Sequence, residues 1–321
     1  MSKIDLLLTV NQAATDTGGL EAAGEPIPIM VHYTGDLAPL QAAGFRPRSV
    51  FGDVASGEIA PGQLQALSAV PSVVYIEGPY ALSLDLDVAV PEARATTVHN
   101  APGVGTPPTT YRGRNVIVGI IDSGIDYTHP AFRNADGTTR ILSIWDQGPV
   151  PVPPPPVGAA PAGFGYGREY DMTAINTALG NANPLSVVPH QDGSAVGHGT
   201  HVAGIAAGNG RPAGTFVGLA PEANLIVVAP VEVGDIADSV RTSEAIHYIF
   251  TRAATLNRPC VINMSRSSNI GPHDGTSLLE RAIDQELGTP GRAYVQSSGN
   301  QAAFLIHTLS LIHISEPTRP Y

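Results

Sequence analysis

Apolar and polar positions alternate in short runs between residues 27 and 78. Residues 27–33 read as a strand and residues 37–44 as a helix stopped by Gly44. Residues 48–54 and 57–59 read as strands paired across an Ala55-Ser56-Gly57 turn, residues 62–67 as a second helix and residues 73–76 as a last strand. The order β-α-β-β-α-β predicts a small α+β, ferredoxin-like unit over residues 1–78. Residues 79–112, rich in Pro, Ala and Thr with weak periodicity, read as an exposed linker.

From residue 113 the texture changes. Residues 116–121, 225–228, 260–264 and 293–296 are continuous apolar runs, as expected for strands covered on both faces in a parallel sheet. Helix-like segments at 201–207, 236–254 and 277–287 separate them, predicting a doubly wound α/β domain over residues 113–308. Residues 149–156 and 163–167, between the first strand and the first helix, are too rich in proline and glycine for a core and read as a surface loop.

Composition narrows the function. A chain of 321 residues, 43 % apolar, can bury one large core and a smaller one. Its 28 acidic against 17 basic residues give a formal charge of −11, and no Lys/Arg stripe forms, which argues against nucleic acid as a partner. Cys260, the single cysteine, lies inside an apolar run and reads as core rather than as a reactive thiol. Near the N-terminus only Leu6-Leu7-Leu8 is apolar, too short for a signal peptide or membrane span. The expectation is a cytoplasmic protein with no membrane partner, unless N-terminal sequence is missing.

In an open parallel sheet, reactive groups gather at the carboxyl ends of strands. Asp122 lies there, after Ile120-Ile121 and before Ser123-Gly124. Gly197-His198-Gly199-Thr200-His201-Val202-Ala203-Gly204 opens a helix, its glycines permitting close packing around His198, the candidate base. A carboxylate beside an imidazole holds the ring's tautomer and stabilises the imidazolium formed when the ring takes a proton from a hydroxyl. Ser298-Gly299-Asn300 ends the fourth strand, where an Asn300 amide can donate to a developing oxyanion.

Those three segments, in that order, resemble the signatures of the subtilisin-like serine peptidases, the subtilase family. Val217-Gly218-Leu219-Ala220-Pro221 and Val261-Ile262-Asn263-Met264-Ser265 follow the same order, and the resemblance covers residues 113 to about 305. Residues 27–78 resemble the family's inhibitory propeptide. The resemblance implies a serine endopeptidase that cleaves polypeptide through an acyl-enzyme, with Asp122 orienting, His198 as general base, Asn300 in the oxyanion hole and Ser265 along a cleft where substrate lies as an added strand. It also implies the propeptide-like unit as a partner within the chain. No cofactor is required; calcium is implied by the family alone, with no metal ligand assigned. Arg266-Ser267 departs from the Leu-Gly usual in the substrate strand, which alters the specificity pocket.

The family's nucleophile follows the oxyanion asparagine, in a Gly-Thr-Ser-Met-Ala-like motif that opens a helix. No such motif follows Asn300. Gly275-Thr276-Ser277 precedes it, and Ser277-Leu278-Leu279-Glu280 reads as a capping box. Residues 309–319 look like translated sequencing-adapter DNA, so residues 309–321 are expected to be a non-native tail in which His313 and Ser315 have no function. The expectation is a subtilase cut off before its nucleophile, inactive and unable to cut itself near residues 79–112. The alternatives are a non-catalytic peptide-binding or inhibitory pseudopeptidase, and a metal-dependent hydrolase using His198 and His201.

Other polar residues have plainer readings. Asp126 and His129 read as turn residues rather than metal ligands, His201 as a packing residue and Asp192 as a solvated loop acid. Trp145 and Tyr294 read as packing or loop-lining aromatics.

Overall fold

The structure is a computed structural model that describes residues 3–4, 26–79, 81–84, 95–101, 111–149, 157–212, 216–231, 237–268 and 274–299. Strand β1 (Ile27–Tyr33), helix α1 (Ala38–Ala42), strands β2 (Arg46–Phe51) and β3 (Val54–Ile59), helix α2 (Leu64–Ser68) and strand β4 (Val73–Glu77) form the first unit. Its sheet is antiparallel in the order β2-β3-β1-β4, the predicted ferredoxin-like arrangement. Ile29, Val31, Leu40, Phe45, Leu64 and Leu67 share its core.

The hairpin turn falls at Gly52-Asp53, not at Ala55-Ser56-Gly57. Gly52 takes φ +63°, a left-handed conformation that favours glycine. Ala55, Ser56 and Gly57 are small because β3 is crowded: Ala55 and Ser56 are fully buried, and a Cβ on Gly57 would stand 2.2 Å from the Arg46 carbonyl oxygen. Small residues that suit a turn here suit a strand enclosed on both sides.

Strand β5 (Ala81–Leu84) and helix α3 (Ala95–Asn100) lie inside the segment predicted to be an exposed linker. β5 is the middle strand between β10 (Ala237–Asp238) and β12 (Arg266–Ser267), antiparallel to both, with Leu82 opposite Ala237 and Leu84 opposite Arg266. Its backbone groups satisfy two strand edges at once, which composition could not foresee.

The second unit contains β6 (Ile117–Ile121), β7 (Ile141–Asp146), β8 (Arg168–Asp171), helices α4 (Met172–Leu179) and α5 (His198–Ala207), β9 (Asn224–Ala229), α6 (Ser239–Thr255), β11 (Cys260–Met264), α7 (Leu278–Leu287) and β13 (Arg292–Gln296). The sheet order is β13-β11-β6-β9-β7-β8, parallel except for β8 against β7. Ile117, Ile121, Ile226, Val228, Ile262 and Met264 pack with Tyr248 and Ile249 of α6. Val118, Ile120, Leu225 and Val227 pack with Ile175 of α4 and Val202 and Ala203 of α5. Burial on both faces explains the unbroken apolar runs.

β7, β8 and α4 flank the segments read as a surface loop, in a stretch where the pattern predicts no strand or helix. Trp145 of β7 is fully buried, with the ring of Phe164 at 4.6 Å, so the glycine-rich segment 163–167 tucks an aromatic into the core. Ser277 and Glu280 form the predicted capping box at α7. Cys260 is buried, and desolvation pushes its thiol up to about 12. On the sheet face opposite α6, Val261 and Val295 are 37 % and 55 % exposed. Among the described residues no helix is long and apolar enough to cross a membrane.

The first unit rests on α6 and α7: Met30, Phe51 and Val54 pack against Val240, Leu278 and Ala282. Arg281 bonds Asp53 at 2.6 Å, and the Leu278 N–H at the start of α7 donates to Glu77 at 3.2 Å. Glu244, fully buried, accepts from Tyr166 and lies 3.9 Å from Arg48 of β2.

Candidate active site

β6 lies at the centre of the sheet between β9 and β11, and the turn after it places Asp122 where the connections part to either side. Asp122 is fully buried. Its Oδ1 accepts from the Ser123 N–H at 2.8 Å and lies 2.7 Å from His198 Nδ1. His198 opens α5 directly after Gly197, which takes φ +66°. A Cβ on Gly199 would lie 3.1 Å from Asp122 Cβ and closer still to the backbone of Gly124, so only glycine lets the helix end reach the aspartate turn.

The hydrogen bond to Asp122 raises the imidazole pKa above its ordinary value, against desolvation and the Arg266 charge, which lower it; the charges of Asp122 and Asp192 add to the rise. With Nδ1–H held on the carboxylate, Nε2 is the ring's free acceptor for a proton. His198 Nε2 is buried with no hydrogen-bond partner among the described residues.

Asp192 is no solvated loop acid. It accepts from Ser123 Oγ at 2.7 Å and from both the N–H and the hydroxyl of Thr200 at 2.7 Å. Burial pushes its carboxyl up, yet these bonds outweigh that and hold it below the usual carboxylate range. A second His–Asp pair, with the histidine buried and the aspartate half-buried, supports the same turn. The Ile125 N–H donates to His190 Nε2 at 3.2 Å, so Nδ1 carries the ring proton and donates to Asp146 at 2.9 Å. Sequence reasoning missed His190 and Asp146, which lie 44 residues apart and share no local motif.

Asp126 and His129 do make turns: Asp126 accepts from the Thr128 N–H at 2.9 Å, and His129 Nδ1 accepts from the Ala131 N–H at 3.2 Å. His201 is exposed rather than packed. It lines a groove of about 1340 Å³ beside α5, with Phe132, Ile205 and Phe216, that does not include Asp122 or His198. Ser265 is buried and accepts from Asn263 Nδ2 at 3.0 Å, directly before β12 and its pairing with β5. Asn300 lies outside the described residues; Gly299, the last one described, takes φ +96°. No three His, Cys, Asp or Glu among the described residues converge to hold a metal ion.

The sequence model of the subtilase family matches residues 113–317, a span that runs past Thr308, the expected end of native sequence. Subtilisin E of Bacillus subtilis is 27 % identical over 245 residues, 75 % of this chain and 47 % of that protein. The subtilisin-like protease SBT2.2 of Arabidopsis thaliana is 33 % identical over 132 residues, 36 % of this chain and 14 % of that protein. The solved structure of the Clostridium perfringens CspB protease matches with a TM-score of 0.51 and 34 % identity, over 59 % of this chain and 37 % of that one. The chain thus spans less than half the length of each of these relatives. An aspartate after the central strand and a histidine on a glycine-flanked helix, within a matched span of this extent, place the chain in the subtilase family of serine peptidases.

Proposed function

We propose that this chain carries the aspartate and histidine of a serine endopeptidase that acts on polypeptide, and that it lacks the nucleophilic serine and therefore does not turn over substrate. Asp122 fixes the imidazole and stabilises its protonated form. His198 Nε2 takes the proton of a serine hydroxyl as that oxygen attacks the scissile carbonyl, and returns it to the leaving amine. Asn300, on the strength of its motif, donates to the oxyanion.

The observation that carries this reading is the state of His198: Nδ1 bonded to a buried carboxylate, Nε2 buried and unpartnered among the described residues. An unsatisfied buried nitrogen costs about 1–3 kcal/mol, which suits a group whose partner belongs to chemistry rather than to packing. The exposed Val261 and Val295 support further chain packing on that sheet face. The pairing of β5 with β12, next to Ser265, supports a cleft that takes extended peptide as an added strand, here filled from the propeptide-like side of the chain.

A fluorophosphonate probe for activated serines tests the proposal on this chain and on a version extended by the downstream sequence of its gene. Labelling of the extended form alone is the expected result. Labelling of this chain would overturn it and direct attention to Ser277; an extended gene with no Gly-Thr-Ser motif would favour a pseudopeptidase.

A further inference from the structure

We propose that Asp192 is a positioning residue for the reaction, setting the imidazole of His198 against Asp122 and making its protonated form tolerable at a helix N-terminus; this role rests on the serine-peptidase reading above. Both carboxylate oxygens are engaged. Oδ1 accepts from Ser123 Oγ at 2.7 Å and from the Ser194 N–H at 3.1 Å; Oδ2 accepts from the Thr200 N–H and hydroxyl, each at 2.7 Å. Ser123 follows Asp122 directly, and Thr200 lies two residues after His198. Asp192 therefore grips both halves of the pair while bonding neither catalytic side chain.

The ring of bonds closes around it. Ser123 Oγ accepts from the Gly199 N–H at 3.0 Å, and Thr200 Oγ1 accepts from the Asp126 N–H at 2.8 Å. The aspartate turn and the first turn of α5 are thus tied at several points, with one carboxylate as the shared acceptor.

Electrostatics supply the second half of the argument. His198 is the first residue of α5, and the positive end of the helix dipole opposes an imidazolium there. Gly197 has no side chain to cap the helix. Asp192 does so from five residues upstream, taking a first-turn N–H and bringing a full negative charge to that end. General-base catalysis requires His198 to hold a proton in passing, and Asp192 offsets the helix end that would resist it.

NMR on this chain, with the histidines assigned, tests the assignment by following the His198 ring through a pH titration in the parent, in Asp192→Asn and in Ser123→Ala. Asp192→Asn keeps the shape, removes the charge and leaves one set of donors, Thr200 or Ser123 with Ser194, facing an N–H₂ in place of an acceptor. The expected result is a lower His198 titration midpoint and a Thr200 amide that exchanges faster. Ser123→Ala cuts the link from Asp192 to the aspartate turn together with the Gly199 N–H bond to the same hydroxyl, and weakening of the His198 Nδ1–H resonance is expected. In the gene-extended enzyme, Asp192→Asn should lower kcat on the order of 10- to 100-fold with KM little changed. An unmoved His198 titration in folded Asp192→Asn overturns the proposal, as does a kcat loss that merely tracks loss of folded protein. If Asp192→Asn does not fold, the Nδ1–H resonance of Ser123→Ala decides, and an unchanged signal overturns it. Failure of the extended parent to label would remove the peptidase reading, while the His198 titration would still decide the part played by Asp192.

Discussion

A Cβ atom on Gly199 would stand 2.2 Å from the carbonyl oxygen of Gly124. The start of α5 and the turn after β6 are therefore in backbone contact, and the separation of His198 from Asp122 is set by that contact. Gly199→Ala must push the two backbones apart. A loss of about 1–3 kcal/mol in unfolding free energy is expected, as for overpacked cores. The His198 Nδ1–H resonance should weaken at the same time; its persistence at full intensity would contradict the account.

Asp122→Asn removes the principal cause of the raised His198 pKa, so the imidazole should titrate lower, which NMR measures directly. The sign for stability follows. A raised folded pKa contributes stability that is complete below the ordinary value of 6.5 and lost as pH rises through the folded value. The stability gap between parent and Asp122→Asn should narrow over that window. In the extended enzyme, turnover should fall by about 10⁴-fold, the loss seen when a triad's carboxylate becomes an amide.

Glu244 gives the junction of the two units its own pH dependence. Burial raises its carboxyl to about 7, against the lowering effects of Arg48, the Tyr166 bond and Arg241, with Asp238 adding to the rise. The stability this contributes is complete below the ordinary 4.5 and is lost as pH climbs through about 7. Thermal unfolding of the chain should therefore show a midpoint that declines from pH 5 to pH 8. Glu244→Gln, which fixes the neutral form, should flatten that decline, and an equally steep slope in the variant would rule Glu244 out as its source.

Phe51 seals the same junction. It is buried among Met30, Val54, Val240, Leu278 and Ala282, with the ring of His247 edge-on at 5.3 Å. Phe51→Ala should cost about 3–5 kcal/mol and leave a cavity on the docking face of the first unit. Calorimetry should then resolve separate melting of the two units, against the single transition expected of the parent; a single transition at the parent's temperature would show that the contact contributes little.

The core of the site is legible in the sequence because its chemistry is local. Asp122 ends a continuous apolar strand, and His198 lies between two glycines, Gly197 with its left-handed backbone and Gly199 in backbone contact with the aspartate turn, which explains the motif. What surrounds the pair is not local. Asp192 resembles any loop acid until Ser123, 69 residues away, is folded against it, and His190 meets Asp146 only through the sheet. The strand at Ile141–Asp146 carries Ile141, Ile144 and Trp145, but the proline-rich segment after it draws attention from its pattern. β5 is four residues of weak alternation that become a strand only because β10 and β12 flank them.

That last pairing has a consequence for anything approaching from solution. A strand tethered on the same polypeptide competes at an effective concentration on the order of millimolar for a short flexible connection. A free peptide of micromolar affinity for the edges of β10 and β12 would be outcompeted until it far exceeded its own dissociation constant. Cutting the tether would turn the occupant into a separate molecule, and dilution would then do what affinity could not.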